Sequence, residues 1–509
     1  MVIGPRYRRP IFVAMVLLAL GGIYEGAGSG HSAPAVVKQT AKSTRADVVS
    51  AVRVCAAPGS GGVTSGSIAT VAVPGSATTG TATVTRLTPG RNVRPGAAVA
   101  KLTHPGLLQV SSVKTAPRLT KAQQVGHAGS SPLVTTHAGR GGVMVSATGA
   151  MAQGLDVEQT GPGGLATAQC GSPGTSFWFV GPGQVKTADV ELYLMNTDNV
   201  AADAQVSVLK DVTKGPPVLG NADNGITVPP HSIVVQSLSK LLRSSKVMAL
   251  NVTTSVGRVV AEVRESRKAS QDGGWLAPTQ APSRTLIIPG LPRSAGNRDL
   301  YVAVPGNSTA QVKITAVSTH GSYKPTGGAN IDLLGNSTTA IVLPSLGGVA
   351  GALKVTSSVP ISASMLVPGG PPGTPGAIAA AAGPIQEQAV FADNPARSKS
   401  YTELVLSAPT KAATVRVTTA TTTSAASDAS GQTVQIKAGA SVVVPVRPPS
   451  GSKVTAFTVV ITPQSGSGPV YAGRVINVHG AVQSILPASS SLTWIPLPPV
   501  QDSLSEFLH

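Results

Sequence analysis

Only two of the 509 residues are cysteine, aromatic residues make up 3%, and acids number 21 against 39 lysines and arginines. Each shortage excludes something. Two cysteines cannot build a multiply crosslinked small-domain framework. They also cannot make a structural zinc site without histidines at suitable spacing, and none lies near them in sequence. A C-x-x-C redox pair is absent. With so few rings, the core must be aliphatic, built of Val, Ile, Leu and Ala. The formal net charge of +18 comes more from missing acids than from an excess of bases. The bases are scattered, apart from an N-terminal cluster and a loose stretch from Arg258 to Arg267. A basic surface of this kind raises the local concentration of polyanions. Basic helices, zinc-finger spacing and aromatic-rich RNA-binding strands are all missing, so nucleic acid is not an expected partner.

Catalytic constellations are equally scarce. The eight histidines (31, 104, 127, 137, 231, 320, 479 and 509) are dispersed, with no pair at metal-binding spacing. They are expected in exposed loops. A G-x-S-x-G nucleophile elbow, a P-loop and a strand–G-x-G-x-x-G–helix unit are absent. S-x-x-K occurs at Ser111–Lys114 and Ser237–Lys240 without the partner motifs of penicillin-binding enzymes. Glu262, Glu265 and Asp272 gather among Arg258, Arg264, Arg267 and Lys268. This group reads as a solvated edge or hairpin with weak surface pairs. No catalytic residue, metal ligand or cofactor is expected, and the chain is read as a non-enzyme.

What is present is repetition. One series of segments runs from Asp189: VELYLMNTDNVAADAQVSVL, ITVPPHSIVVQSL, MALNVTTSVGRVVAEVRES. A second runs from Asp299: LYVAVPGNSTAQVKITAVSTHG, IDLLGNSTTAIVLPSL, ALKVTSSVPISASMLV. A third follows Thr402: ELVLSAPTKAATVRVTTA, VQIKAGASVVVPV, FTVVITPQSGSGPVYAGRVIN. Apolar residues alternate with polar ones in each segment, the period of a half-buried strand. With 57 Gly and 41 Pro supplying turns throughout, the chain reads as all-β. The expected architecture is tandem immunoglobulin-like β-sandwich modules. A β-propeller is the alternative, although repeats of about 100 residues are long for blades of about 40–50.

The expected organisation has six parts. Residues 1–30 are a signal peptide or membrane anchor, and 31–50 a linker. Residues 51–175 are an irregular N-terminal β region, with a long loop near 88–130. Three β-sandwiches follow at 176–290, 291–384 and 385–509. In the first part, Arg6, Arg8 and Arg9 precede the apolar run Ile11–Ile23, a pattern that sends the rest of the chain outward. The run suits a signal-peptide core and falls short of the ~20 residues of a spanning helix. Cleaved signal and uncleaved anchor stay open, and either makes the chain extracytoplasmic. In that setting Cys55 and Cys170 are expected to form a disulfide. It would staple the N-terminal region to the start of the first repeat. Trp178 and Trp494 occupy similar places in leading strands and are expected to have a structural role, in the core or between modules, rather than bind sugar. The tail SLTWIPLPPV reads as a strand able to cover the edge of the last sandwich.

Several stretches together carry a resemblance. They are Cys170-Gly-Ser-Pro, Phe177-Trp178-Phe179-Val180-Gly181, Leu192-Tyr-Leu-Met-Asn196, Gly257-Arg-Val-Val-Ala261 and Ile288-Pro-Gly-Leu291. The serial order continues through Leu300–Gly306, Val355–Pro360 and Gly468–Ala472. It resembles an uncharacterised actinobacterial family of secreted or membrane-anchored proteins of unknown function. The resemblance implies an extracytoplasmic tandem β architecture and no reaction. One departure is a turn expected after Ser358, where the chain reads VPISAS. Taken together, these readings lead to the expectation of a non-enzymatic envelope protein presenting a binding or scaffolding surface. Its partner would be an envelope protein, with the membrane met through the N-terminal segment. Two alternatives are carried: a basic binder of anionic cell-wall glycopolymer, and a hydrolase with an unrecognised site.

Overall fold

The computed structural model describes residues 45–497, apart from internal stretches of which the longest is 111–141. Others include 57–66, 72–78, 90–99, 103–106, 161–166, 212–218, 268–272, 371–375 and 422–430. The expected signal or anchor segment and most of the 88–130 loop lie outside the described residues. Among those described, no helix is long and apolar enough to cross a membrane. Residues 47–495 form one compact unit.

The chain is all-β, and its repeat is a pair of sheets with a core between them. The propeller alternative, one four-stranded blade per repeat, does not describe it. In the first sandwich one sheet runs Ser176–Pro182, Val247–Val256, Ala202–Lys210, Leu219–Asn221. The other runs Gly273–Leu276, Val260–Arg267, Ala188–Asn196, Ser232–Ser237. Alternation explains the layering: in Ala202–Lys210 the residues Ala202, Ala204, Val206 and Val208 point inward and Asp203, Gln205 and Ser207 outward. Phe179, Val206 and Leu250 of one sheet then meet Leu192, Leu194 and Val263 of the other.

The third sandwich repeats the plan. Ala389–Pro395, Ala456–Pro463, Ala413–Ala420 and Gln432–Ile436 face Ala440–Val446, Ser400–Ala408, Tyr471–Val478 and Ala481–Pro487. Its last hairpin turns on His479-Gly480, both at positive φ, the conformation that matches the twist of the flanking strands. The second sandwich departs at the place where a turn after Ser358 is expected. Gly351–Val367 is a single 17-residue strand that serves both sheets. Its first half pairs with Ala310–Ser318 and its second half with Arg298–Val304. Pro360 lacks an N–H to donate, and it stands between the two pairings, where that costs nothing.

The N-terminal region is also two-layered. Ser50–Cys55, Gly142–Gly149 and Gly80–Pro89 form one sheet; Leu107–Val110, Ser67–Val71, Asp156–Thr160 and Thr167–Gln169 form the other. Val84, Val143, Val145 and Val157 fill the space between.

Contacts among the four sandwiches run in a closed cycle. The N-terminal sandwich joins the first through a sheet continued in parallel, with Thr88 opposite Ser232 and Pro89 opposite Ile233. Leu87, Met144, Tyr193, Met195 and Trp275 pack at this joint. The first joins the second through Val180, Leu209, Ala249, Tyr301 and Ala303, with Trp178 packed alongside as expected. The Ser364 hydroxyl donates to the Val180 carbonyl at 2.6 Å there. The second joins the third through Ile287, Val317, Ala352 and Tyr471, and Ser441 donates to the Val317 carbonyl at 2.7 Å. The third then returns to the N-terminal sandwich.

At the joint of the second and third sandwiches the backbones nearly touch. A Cβ on Gly473 would lie 2.3 Å from the Cα of Gly290. Backbone on both sides cannot yield as a side-chain tip would. Gly473→Ala is therefore expected to cost about 3 kcal/mol, read as a lowered urea midpoint at unchanged m.

Candidate functional site

The strand Asp156–Thr160 reads DVEQT, yet all five residues are buried. Four polar side chains in five positions would be expensive in an apolar setting unless each found partners. They find them across two joints. Alternation puts Asp156, Glu158 and Thr160 on one face and Val157 and Gln159 on the other.

The first face meets the third sandwich. Arg474, on strand Tyr471–Val478, donates through Nη1 to Glu158 Oε2 at 2.7 Å and to the Asp393 carbonyl at 3.2 Å. Both members of this ion pair are 0% exposed. The other Glu158 oxygen accepts the Ala392 N–H at 2.8 Å. Thr160 donates to Asp393 Oδ2 at 2.7 Å, and Gln169 donates to Asp156 Oδ1. The Arg474 guanidinium also lies over the Phe391 ring, 5.2 Å from its centroid. On the far side, Arg53 of strand Ser50–Cys55 is held back by burial, which lowers its pKa against the opposing pull of Asp156. Burial pushes the Asp156 and Glu158 carboxyls well above the usual carboxylate range; Gln169 and Arg53 oppose this at Asp156, and Arg474 at Glu158.

The second face reaches the first sandwich. Gln159 Nε2 and the Ala56 N–H both donate to Glu262 Oε2, at 2.8 and 2.9 Å. Burial pushes the Glu262 carboxyl up to about 8, against the lowering effect of the Ala56, Gln159 and Gly171 donors. The expectation of a solvated edge around Glu262 is overturned: Glu262 and Arg264 are each 6% exposed. The cause is tertiary. Strand Val260–Arg267 lies inside a sheet, and the N-terminal sandwich and Trp275 cover it; Arg264 sits 6.0 Å from the Trp275 ring centroid. Arg258, from the same stretch, is exposed and pairs bidentately with Asp198.

Cys55 and Cys170 are disulfide-bonded, with their Cα atoms 4.6 Å apart. The bond closes almost the whole N-terminal sandwich into a loop and lies beside the Glu262 contacts. Val54 pairs with Gly171 in both backbone directions at the same point. The tail does more than cover the third sandwich. Ser490 bridges Ala389, Thr493 donates to Glu387, and the Thr493 carbonyl accepts from the Val48 N–H at 2.8 Å. Of the described histidines, His320 and His479 are exposed in turns, while His231 is partly buried and bonds Asn199 at 2.7 Å. Ser237 bonds Ser239 on the surface. No group of three or more His, Cys, Asp or Glu among the described residues is placed to hold a metal. Sequence reasoning missed Asp156, Glu158, Asp393 and Arg474. The available signal was the run DVEQT, polar where a strand's inward face should be apolar.

Two outcomes are expected. Arg474→Met or Glu158→Gln alone should each cost about 3–5 kcal/mol, since each leaves a buried partner unpaired. The double variant should cost less than the sum by at least about 1.5 kcal/mol in a denaturation cycle. For Glu262 the folded-state pKa lies above the unfolded one, so its contribution is complete below about 4.5 and lost as pH rises through 8. Glu262→Gln should therefore flatten the fall in stability between those limits, by on the order of 5 kcal/mol at the alkaline end.

The buried polar side chains of strand Asp156–Thr160 hold the N-terminal sandwich to the first and third. No curated protein matches the chain. The family model described as "Family of unknown function (DUF5719)" matches residues 121–447, which include the strand Asp156–Thr160, the first and second sandwiches and part of the third. With more than half of its length matched, the chain belongs to this family of unknown function, DUF5719.

Proposed function

We propose that this is a non-enzymatic extracytoplasmic envelope protein whose docked sandwiches present a binding or scaffolding surface to an envelope partner. The Cys55–Cys170 disulfide carries the extracytoplasmic part of the reading, because such bonds persist in oxidising compartments. The scaffold part rests on the cycle of joints. Ordered sandwiches held by buried contacts keep surface loops at fixed spacing, which a beaded chain does not. The basic N-terminal cluster before Ile11–Ile23 accords with export, either anchored at the membrane or released.

A second reading, binding of anionic cell-wall glycopolymer, has its own observation. Residues 48–155 contain nine lysines and arginines and no acid, half of the chain's net charge of +18. A region of one sign attracts a polyanion, and salt weakens that attraction.

One experiment separates the readings. The purified protein is passed over envelope extract and over a purified polyphosphodiester wall polymer, at low and high salt. A defined protein partner retained at high salt is expected for the scaffold. Retention of polymer alone, lost as salt rises and weakened by K114Q/R118Q/K121Q, would replace it with the second reading.

A further inference from the structure

The compact unit begins and ends at one place. The Val48 N–H donates to the Thr493 carbonyl at 2.8 Å, and the Gly154 N–H donates to the Leu492 carbonyl at 3.0 Å. The chain therefore enters the unit at Asp47 and leaves it at Ile495 side by side.

The segment Ser489–Ile495 that closes this end has its polarity reversed. Strands alternate, and one at the edge of a protein ordinarily turns apolar side chains inward and polar ones to water. Here the inward residues are hydroxylic: Ser491 and Thr493 are 2% and 7% exposed. The Ser491 N–H donates to the Gln388 carbonyl at 2.8 Å. Thr493 donates to the Glu387 carboxylate through its N–H, at 2.8 Å, and through its hydroxyl. The alternate residues Leu492 and Trp494 are only partly buried, and Ile495 is 44% exposed. Val49, next to Val48, is 71% exposed, more than any other large apolar residue described. Water returns nothing for keeping these side chains outside. A lipid interface does, and tryptophan with aliphatic neighbours is a composition suited to the headgroup layer.

The sequence that enters here favours lipid over a protein partner. Upstream of Asp47 lies the apolar run Ile11–Ile23, and residues 26–46 carry Lys38, Lys42 and Arg45 and no acid. Cations beside an apolar contact suit a surface of anionic headgroups. Asp47 and Glu387 stand at the same end of the unit, Glu387 engaged by Thr493. Apolar contact, with cations alongside, is therefore the larger part of the attraction.

We propose that this end of the compact unit is a lipid-facing surface, at which Val49, Trp494 and Ile495 enter the headgroup layer of the membrane that holds Ile11–Ile23. The inference rests on the membrane-anchored form of the function proposed above and adds which surface faces the bilayer. Surfaces away from this end are left to the envelope partner.

The test uses the intact, oxidised chain. Cys55 and Cys170 are bonded to each other, so an introduced cysteine is the one free thiol. Val49→Cys and Ile495→Cys carry an environment-sensitive fluorophore at the surface, and Val342→Cys, at a position 59% exposed on the second sandwich, is the control. The protein is reconstituted with vesicles of equimolar phosphatidylcholine and phosphatidylglycerol that include headgroup-spin-labelled lipid. Flotation reads association, and quenching reads contact. Labels at positions 49 and 495 should be quenched at least about threefold more than the label at 342. Ile495→Glu should roughly halve the quenching of the label at 49. Association with all three labels quenched alike overturns the lipid-facing surface and leaves the anchored reading in place. Absence of association overturns both. Labels at 49 and 495 that are shielded from aqueous iodide before lipid is added, while 342 is not, also overturn it, because protein then covers this end.

Discussion

Arg474 and Glu158 are 316 positions apart in the chain and 2.7 Å apart in space, and neither has access to water. A buried ion pair is weak grounds for stability by itself, because desolvating both charges consumes most of what their attraction returns. Its strength is geometric. Glu158 is satisfied only when Arg474 and the Ala392 N–H are both in place, and those groups lie on two different strands of the third sandwich. Asp393, whose carbonyl receives Arg474, also accepts from Thr160 through its carboxylate. The N-terminal and third sandwiches are therefore fixed in one register, and the tail that passes between them is fixed with them.

The other joints reach order by a different route. Small residues and backbone approach closely, as Gly290 and Gly473 do, and single hydroxyls donate to carbonyls at sheet surfaces, as Ser364 and Ser441 do. Aliphatic clusters exclude water around them. This suits a chain with few rings, because contact area is gathered from many small side chains at native packing density. Some of the rare aromatics lie where sandwiches meet, Trp178 at one joint and Tyr193 and Trp275 at another, while Phe179, Phe391 and Phe457 fill sandwich cores, Phe391 with Arg474 over its ring.

Membership of a family of unknown function leaves the physical reading of the molecule to stand by itself. Its interior is locally polar where the N-terminal sandwich meets the first and third. The polar side chains gathered on strand Asp156–Thr160 hold sandwiches to one another, Glu158 and Thr160 on the third and Gln159 on the first.

The alternation of apolar and polar residues determined the strands, and the recurrence of three such series determined a tandem all-β chain, because strand periodicity and turn chemistry act over a few residues. The even cysteine count pointed to Cys55–Cys170 for a similarly simple reason. Other features could be decided only by tertiary structure. Gly351–Val367 crosses between sheets because its two halves meet different neighbours, which local sequence around Pro360 does not encode. Glu262 and Arg264 read as solvated from their charged surroundings in sequence, and are buried because another sandwich and Trp275 cover them. Asp156 and Glu158 look like the solvent face of a strand until Asp393 and Arg474, more than two hundred positions away, arrive opposite them. The cost of burying a charge depends on which partners surround it, and those partners come together only when the cycle closes.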